Sequence, residues 1–102
     1  MKRVRRSITY KKWVKNLRDS RARARIFTRV KRLAEGNPGN HRFLGDISEL
    51  CIDYGPGYRV YYMDTGKEII LLLYGGNKKN QQKDIEKARE LMTNYDPAEW
   101  EK

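Results

Sequence analysis

The chain has few cysteines and histidines and no long apolar run. Its single cysteine, Cys51, excludes an intrachain disulfide, and sparse cysteine is typical of a reducing cytoplasm. No stretch of about 20 apolar residues occurs, so no transmembrane helix is predicted. The basic start, MKRVRRSITYKKW, lacks the apolar segment of a signal peptide. These absences predict a cytoplasmic protein, and the length of 102 residues predicts one domain.

Acidic residues are scarce in the first third of the chain. Residues 1–36 contain 14 Lys and Arg but only two acids, Asp19 and Glu35, whereas residues 37–102 contain 9 Lys and Arg against 11 acids. The whole net charge of +10 therefore comes from the N-terminal third. Such a block attracts polyanions by long-range electrostatics and counterion release. Three interpretations stay open: a nucleic-acid surface, a site for an acidic protein partner, or a solvated helical face.

Helical periodicity marks the basic third and the end of the chain. The spacing of Tyr10, Trp13, Val14 and Leu17 predicts a helix over residues 10–18, with Thr9 as its N-cap. Asp19 or Ser20 is expected to cap a second helix, which ends at Gly36. Its apolar stripe contains Ala22, Ile26, Val30, Leu33 and Ala34. A last helix is predicted over residues 80–93, and residues 94–102 are expected to form a loosely held tail that Trp100 could pin.

Between these helices the period changes from 3.6 residues to two. Strands are predicted over residues 48–54, 58–63 and 68–74, the last of which is too apolar to be half exposed. Residues 2–8 could add a short edge strand, and residues 41–46 are a strand or an irregular segment. Gly75 and Gly76 are expected to break the last strand. The order helix, helix, strand meander, helix predicts an α+β fold with an antiparallel sheet.

Arg59 is a permanent charge inside a predicted central strand. If Tyr54 pairs with Tyr58 across the turn, then Asp53 pairs with Arg59 and Cys51 with Tyr61. The apolar side chains then share one face, and Arg59 points to the other face, which is expected to be open. An ion pair with Asp53 would explain the charge, and so would a guanidinium that grips a phosphate. In the second case Tyr58 and Tyr61 would offer surfaces for stacked bases, and Lys78 and Lys79 would lie at the rim.

Two sequence blocks at this spacing carry a family resemblance. They are SELCIDYGPGYRVYY and IILLLYGGNKKNQQKDIEKARELM, which follow LRDSRARARIFTRVKRLAEGNPGNHRFLG. Over residues 8–94 the chain resembles the RelE/ParE toxin superfamily of type II toxin–antitoxin systems, in its HigB-like branch of addiction module killer proteins. The resemblance implies a RelE-like fold, with two N-terminal helices and a C-terminal helix packed on a small antiparallel sheet.

The same resemblance implies an activity and partners. Members are mainly ribosome-dependent mRNA endonucleases that need no metal or cofactor and inhibit translation, whereas ParE-like members inhibit DNA gyrase. A helix-turn-helix antitoxin neutralises the toxin, and the pair commonly binds operator DNA as a hetero-oligomer. The ribosome and mRNA are then the expected RNA partners.

The expected site combines the resemblance with the residue pattern. Arg59 and Lys78 match family positions, and Glu49, Asp53, Tyr61 and Lys78 are the alternatives for a general base. The candidate catalytic residues are Arg59, Lys78, Tyr61 and Glu49. The candidate residues for binding RNA or the ribosome are Arg21, Arg23, Arg25, Arg29, Arg32, Tyr58, Lys79 and Gln81.

Cys51 departs from the family pattern. The branch usually has Glu-Leu-Arg-Ile where this chain has Glu49, Leu50, Cys51 and Ile52. A natural variant, a decayed toxin and an inactivating change would all look the same in the sequence. A nucleophilic role is not expected, because the pattern places no histidine nearby; His41 is interpreted as a structural or surface residue. The missing arginine favours the two alternatives to a nuclease, a gyrase inhibitor and a catalytically inactive binding module.

Overall fold

The structure is a computed structural model that describes residues 1–101. Within this range it contains three α-helices and a five-stranded sheet. The helices are α1 (Ile8–Lys15), α2 (Ser20–Ala34) and α3 (Gln81–Thr93). The strands are β1 (Arg3–Arg6), β2 (His41–Phe43), β3 (Ser48–Ile52), β4 (Tyr58–Asp64) and β5 (Ile69–Asn77).

The sheet has the order β1-β5-β4-β3-β2. Its neighbours are antiparallel except β1 and β5, which run parallel. The predicted α+β class is confirmed, and so is the possible edge strand within residues 2–8, which is β1. The predicted order helix, helix, strands, helix is wrong, because it left this first strand out. The purely antiparallel sheet is wrong for the same reason. The long connection from β1 to β5, which contains both N-terminal helices, allows a parallel pair.

The N-terminal helices begin at side-chain caps. The Asp19 carboxylate accepts hydrogen bonds from the N–H groups of Arg21 and Ala22, at 2.9 and 3.3 Å, so α2 begins where the sequence predicted. The whole predicted stripe of α2 is buried. The predicted bounds of α1 are wrong: Ser7, rather than Thr9, caps the helix by accepting from the Tyr10 N–H at 2.9 Å. Ser7 is fixed there because its hydroxyl also donates to the Leu73 carbonyl at 2.6 Å.

One face of the sheet packs against α1 and α2. It buries alternate residues of three strands, together with the stripe of α2, in one apolar cluster. The strand residues in it are Leu50, Ile52, Tyr58, Val60, Tyr62, Ile70 and Leu72. This face is the one that the alternation of β3 and β4 predicts.

The other face, which was expected to be open, is covered by α3. Ile85 and Ala88 of this helix form a second cluster with Tyr61 and Leu73 of the sheet. The expectation was wrong because the apolar positions of α3 fit either side of a sheet equally well. Side chains on this second face are therefore buried beneath a helix.

Two adjacent glycines bring these layers close to the sheet. The predicted break at Gly75 and Gly76 is wrong, because β5 continues through both to Asn77. A Cβ on Gly75 would overlap the Trp13 indole, and a Cβ on Gly76 would overlap the Asp84 carboxylate. The glycines allow α1 and α3 to approach opposite faces of the same strand.

The predicted loose tail is anchored as far as Glu101. Trp100 is 2% exposed and pairs with Ser7 in an antiparallel bridge. The Glu101 carboxylate accepts from the backbone and the guanidinium of Arg6, at 3.1 and 3.2 Å. Lys102, the last residue of that predicted tail, lies outside the described residues. Within residues 1–101, the helices are too short or too polar to cross a membrane.

Candidate functional site

Arg59 lies at the centre of the second face. Its direct neighbours across the sheet are Cys51 on β3 and Gly76 on β5. The predicted pair with Asp53 is wrong, because β3 and β4 are offset by two residues from the predicted register. Asp53 is exposed in the connection that follows β3. An offset of two keeps every side chain on its predicted face, so Arg59 still points away from the cluster beneath α1 and α2.

A buried carboxylate holds Arg59. The Glu49 side chain is almost fully buried, and its Oε1 lies 3.6 Å from the Arg59 Nε and 3.4 Å from an Arg42 Nη2. Its Oε2 accepts a hydrogen bond of 2.6 Å from the Gln81 amide. Two guanidiniums therefore share one carboxylate, which leaves an excess positive charge. We call Arg42, Glu49, Cys51, Arg59 and Gln81 the Arg59 cluster.

Cys51 contributes a neutral thiol to the Arg59 cluster. Its Sγ lies 3.4 Å from the Glu49 Oε1, and the residue is half buried. Burial raises the pKa of this thiol, and the hydrogen bond and negative charge of Glu49 raise it further. These effects outweigh the arginines, which act in the opposite direction. A raised pKa makes the thiolate, the nucleophilic form of cysteine, scarce at neutral pH.

Lys78 lies beside the outer end of Arg59. A Cβ built on Gly57 would be 3.5 Å from the Lys78 Cβ and 3.6 Å from the Arg59 Nη1, so the two side chains flank this glycine. Lys78 is exposed at the start of a short 3₁₀ turn, Lys78–Asn80. Lys79 is exposed in the same turn, and its N–H is capped by the Asn77 side chain at 2.9 Å. The prediction that Lys78 lies near Arg59 is therefore confirmed.

The two tyrosines proposed for base stacking are buried. Tyr58 points to the opposite face, where it is 8% exposed and meets the Trp13 ring edge-on at 6.3 Å. Tyr61 is 0% exposed beneath α3, and its hydroxyl has no hydrogen-bond partner in residues 1–101. Burial, more than the nearby charges of Glu49 and Asp84, raises the Tyr61 pKa. The predicted stacking surfaces are wrong, and neither tyrosine is available for contact with a substrate in this structure.

The arginines of α2 separate into different environments. Arg21, Arg25, Arg29 and Arg32 line a groove of about 580 Å³ with Tyr54, and we call these five residues the arginine groove. Asp53 and Tyr54 also line this groove, and they begin the loop between β3 and β4 that ends at Gly57. The Arg25 guanidinium lies 4.7 Å from the centre of the Tyr54 ring.

Two of the predicted RNA-binding arginines are engaged by the protein itself. Arg29 donates to the carbonyls of Cys51, Pro38 and Asn40 at 2.7–2.9 Å, and burial lowers its pKa. Arg23 donates to the Leu17 carbonyl and lies outside the arginine groove. Arg21, Arg25 and Arg32 are exposed.

Sequence reasoning missed two residues near Arg59. Arg42 reaches Glu49 because β2 and β3 pair these two residues directly. Asp84 is 8% exposed on α3, against Gly76, and burial raises its pKa. The candidate strand over residues 41–46 is the sequence feature that could have indicated Arg42. The glycine pair could have indicated a close approach by Asp84, but it was interpreted as the end of a strand.

The fold and site define an α+β protein with an arginine-centred, net-positive cluster on one sheet face. An uncharacterized protein of Haemophilus influenzae (strain ATCC 51907 / DSM 11121 / KW20 / Rd) is 42% identical to this chain over 89 residues. The match covers 86% of this chain and 90% of the relative. The chain therefore belongs to the same family as this protein. No protein-family model and no solved structure matches the chain.

Proposed function

We propose that this chain is the toxin of a type II toxin–antitoxin pair, a RelE-like, ribosome-dependent mRNA endonuclease that inhibits translation. The observation that carries the proposal is the arrangement of Arg59. Its side chain is 14% exposed, lies 3.6 Å from a buried carboxylate and shares the space around Gly57 with Lys78. A preorganised guanidinium beside a lysine suits a phosphate whose negative charge grows during reaction.

The proposed chemistry uses the RNA as its own nucleophile. The 2′-hydroxyl gives its proton to a general base as its oxygen bonds to the adjacent phosphorus, which yields a 2′,3′-cyclic phosphate. The bond from phosphorus to the 5′-oxygen breaks, and that oxygen takes a proton from a general acid or from water. Because the RNA supplies the nucleophile, the proposed step uses no metal or cofactor. Arg59 and Lys78 stabilise the charge on the phosphorane. Glu49, at 1% exposure, acts as a positioning residue for Arg59, whereas Tyr61, at 0% exposure, packs beneath α3 and reaches no substrate. Of the candidate bases, Lys78 and Asp53 are exposed, and Lys78 lies beside Arg59. A base must be neutral when it is a lysine, so this role for Lys78 is an alternative to charge stabilisation.

The ribosome supplies the remaining orientation of the substrate. A site with few acid–base groups gains most from a partner that holds the message in a reactive geometry. The exposed Arg21, Arg25 and Arg32 of the arginine groove are proposed to contact ribosomal RNA. The cognate partner is proposed to be a helix-turn-helix antitoxin.

Cell-free bacterial translation with mapping of mRNA 5′ ends tests this proposal. The wild-type protein should stop translation and cut only messages engaged by ribosomes. Arg59→Ala should remove both effects, whereas Arg89→Ala, which also removes an arginine from an ion pair, should keep them. Full activity of Arg59→Ala, or intact translation and message with the wild-type protein, would refute the assignment.

A second candidate function is a non-nuclease: a ParE-like gyrase inhibitor or an inactive binding module. The neutral Cys51 thiol at the centre of the Arg59 cluster favours it, because a cation there would strengthen phosphate binding. Cys51→Arg separates these cases. Cutting by this variant alone indicates a disabled nuclease, whereas inhibition of DNA supercoiling without RNA cutting indicates a gyrase inhibitor.

A further inference from the structure

Arg42 and Arg59 differ in how they meet the same carboxylate. The Arg42 Nη2 and the Arg59 Nε lie 3.4 and 3.6 Å from the same Glu49 oxygen. The Arg42 side chain is 58% exposed, however, and the Arg59 side chain only 14%. The Arg42 side chain therefore lies mostly in solvent, although its Nη2 is close to the buried carboxylate.

The charges around Glu49 are incompletely balanced. Arg59 donates from Nη1 to the Tyr58 carbonyl at 3.0 Å. Its Nε faces Glu49 at 3.6 Å, is buried and makes no hydrogen bond within residues 1–101. Glu49 balances only one of the two guanidinium charges, and the nearby Asp84 and Lys78 are of opposite sign and leave the sum unchanged. An anion at the outer side of the pair would complete this charge balance, because two arginines around one carboxylate retain a net charge of about +1.

We propose that Arg42 is a second phosphate-contacting residue, which binds an RNA phosphate together with Arg59. Glu49 is the positioning residue that holds both guanidiniums. A planar guanidinium has five N–H donors, so contact with Glu49 leaves donors for a phosphate. The inference rests on the proposed function for its ligand, a phosphate of single-stranded RNA.

The pairing of β2 with β3 places Arg42 opposite Glu49, but Glu49 does not need this arginine as a partner. Glu49 already has Gln81 at 2.6 Å and Arg59 close by, so it is paired without Arg42. A largely exposed arginine adds little stability through such a pair, on the order of 0–1 kcal/mol. The contact places the Arg42 guanidinium beside the carboxylate that also meets Arg59, the less exposed of the two arginines.

Binding of a cleavage-resistant RNA oligonucleotide, followed by fluorescence anisotropy over a range of salt concentrations, tests the proposal. Arg42→Gln should weaken binding roughly tenfold or more. The slope of log K against log salt should fall by about 0.7, the value for one phosphate contact with a single strand. Arg89→Gln is the matched control, because Arg89 is 41% exposed and paired with Asp46 at 2.9 Å. Equal affinities and slopes for these two variants would overturn the proposal.

Glu49→Gln separates positioning from charge alone. This change removes a negative charge, so simple electrostatics predicts tighter RNA binding. Loss of the positioning carboxylate predicts weaker binding and a shallower salt slope, in a protein that thermal unfolding shows to be folded. Tighter binding by folded Glu49→Gln would overturn the positioning role.

A rescue experiment uses the neighbouring thiol. The Cys51 Sγ lies 3.4 Å from the same Glu49 oxygen, so an arginine side chain introduced there meets the same carboxylate. Cys51→Arg should restore the salt slope in the Arg42→Gln background. No restoration would contradict the shared anchoring at Glu49.

Cell-free translation distinguishes this inference from the proposed function. If wild-type protein cuts message and Arg42→Gln cuts equally well, the function stands and the role of Arg42 is refuted. If wild-type protein makes no cuts but its RNA affinity depends on Arg42, the nuclease assignment fails and the phosphate contact stands.

Discussion

The two faces of the sheet bury different kinds of side chain. Beneath α1 and α2 the buried strand residues are aliphatic or aromatic. Between the other face and α3, Tyr61 and Leu73 of the sheet lie with two buried acids, Glu49 of β3 at 1% exposure and Asp84 of α3 at 8% exposure. The first face is built from apolar burial alone, whereas the second includes charges that need partners.

This difference separates stability from chemistry within one small sheet. Packing of the first face needs only side chains of suitable size and shape. On the second face, charged groups are held in fixed positions by α3, β2 and the glycine pair. Stability should therefore depend mainly on the first face, and anion binding on the second.

The largest contrast is expected from neighbouring residues of β3. Leu50 is 0% exposed on the first face, so Leu50→Ala should lower the free energy of unfolding by about 2–5 kcal/mol. Cys51→Ala removes only a half-buried thiol on the second face and should cost far less. Urea denaturation of both variants measures the difference. A loss of equal size at the two positions would contradict the division between faces.

The glycine pair offers a test on β5. Gly75→Ala would force a methyl group into the Trp13 indole, whose neighbouring rings Tyr10 and Tyr58 lie 5.9 and 6.3 Å away. Overpacking of this kind costs about 1–3 kcal/mol. Gly76→Ala should also lower the free energy of unfolding, because its methyl group would overlap the Asp84 carboxylate.

A second substitution distinguishes the two glycines. Asp84→Ala should relieve much of the cost of Gly76→Ala and none of the cost of Gly75→Ala, measured as differences in urea unfolding. If Asp84→Ala suppressed both or neither, the steric explanation would fail.

The first face could be predicted from sequence, because its pattern has one period and one chemistry. The stripe of α2 followed directly, and an error of two residues in the β3–β4 register left Leu50 and Val60 on the correct face. The second face could not be predicted in the same way. Nothing in the spacing of Ile85 and Ala88 indicates which side of the sheet α3 covers.

The candidate site shows the same limit at single residues. The proximity of Arg59 and Lys78 could be predicted because Arg59 lies on β4 and Lys78 directly follows β5, the neighbouring strand. Arg42 depends on the pairing of a strand of three residues, which leaves almost no periodic signal. The burial of Glu49 depends on α3, so it too could not be read from alternation.

A double-mutant cycle compares a buried ion pair with an exposed one. Glu49→Gln and Arg59→Gln should show a coupling energy within the range of about 0.5–3 kcal/mol that is typical of contacting residues. The exposed pair of Asp46 and Arg89, with side chains 39% and 41% exposed, should give about 0.2–1 kcal/mol. Urea unfolding of each single and double variant supplies both values. A larger coupling in the exposed pair would mean that Glu49 does not anchor Arg59.

The smallest expected effect concerns Asp84 and depends on pH. Burial raises the pKa of its carboxyl group in the folded protein above the ordinary value of the unfolded chain. The folded state therefore keeps this proton longer as the pH rises, and ionisation lowers stability over the interval between the two pKa values. Asp84→Asn removes this titration.

The difference between Asp84→Asn and the wild-type protein isolates that titration from those of other groups. Asp19, Asp46, Asp64 and Glu101 have lowered pKa values, and their protonation on acidification destabilises both proteins alike.

Asp84→Asn should be the more stable protein at pH 7, and its advantage should shrink as the pH falls through the raised pKa of Asp84. Thermal unfolding at several pH values measures this, with Glu86→Gln as an exposed control on the same helix. A less stable Asp84→Asn at pH 7 would show that attraction to the start of α3 outweighs the cost of burial. In that case this charge would support the second face rather than weaken it.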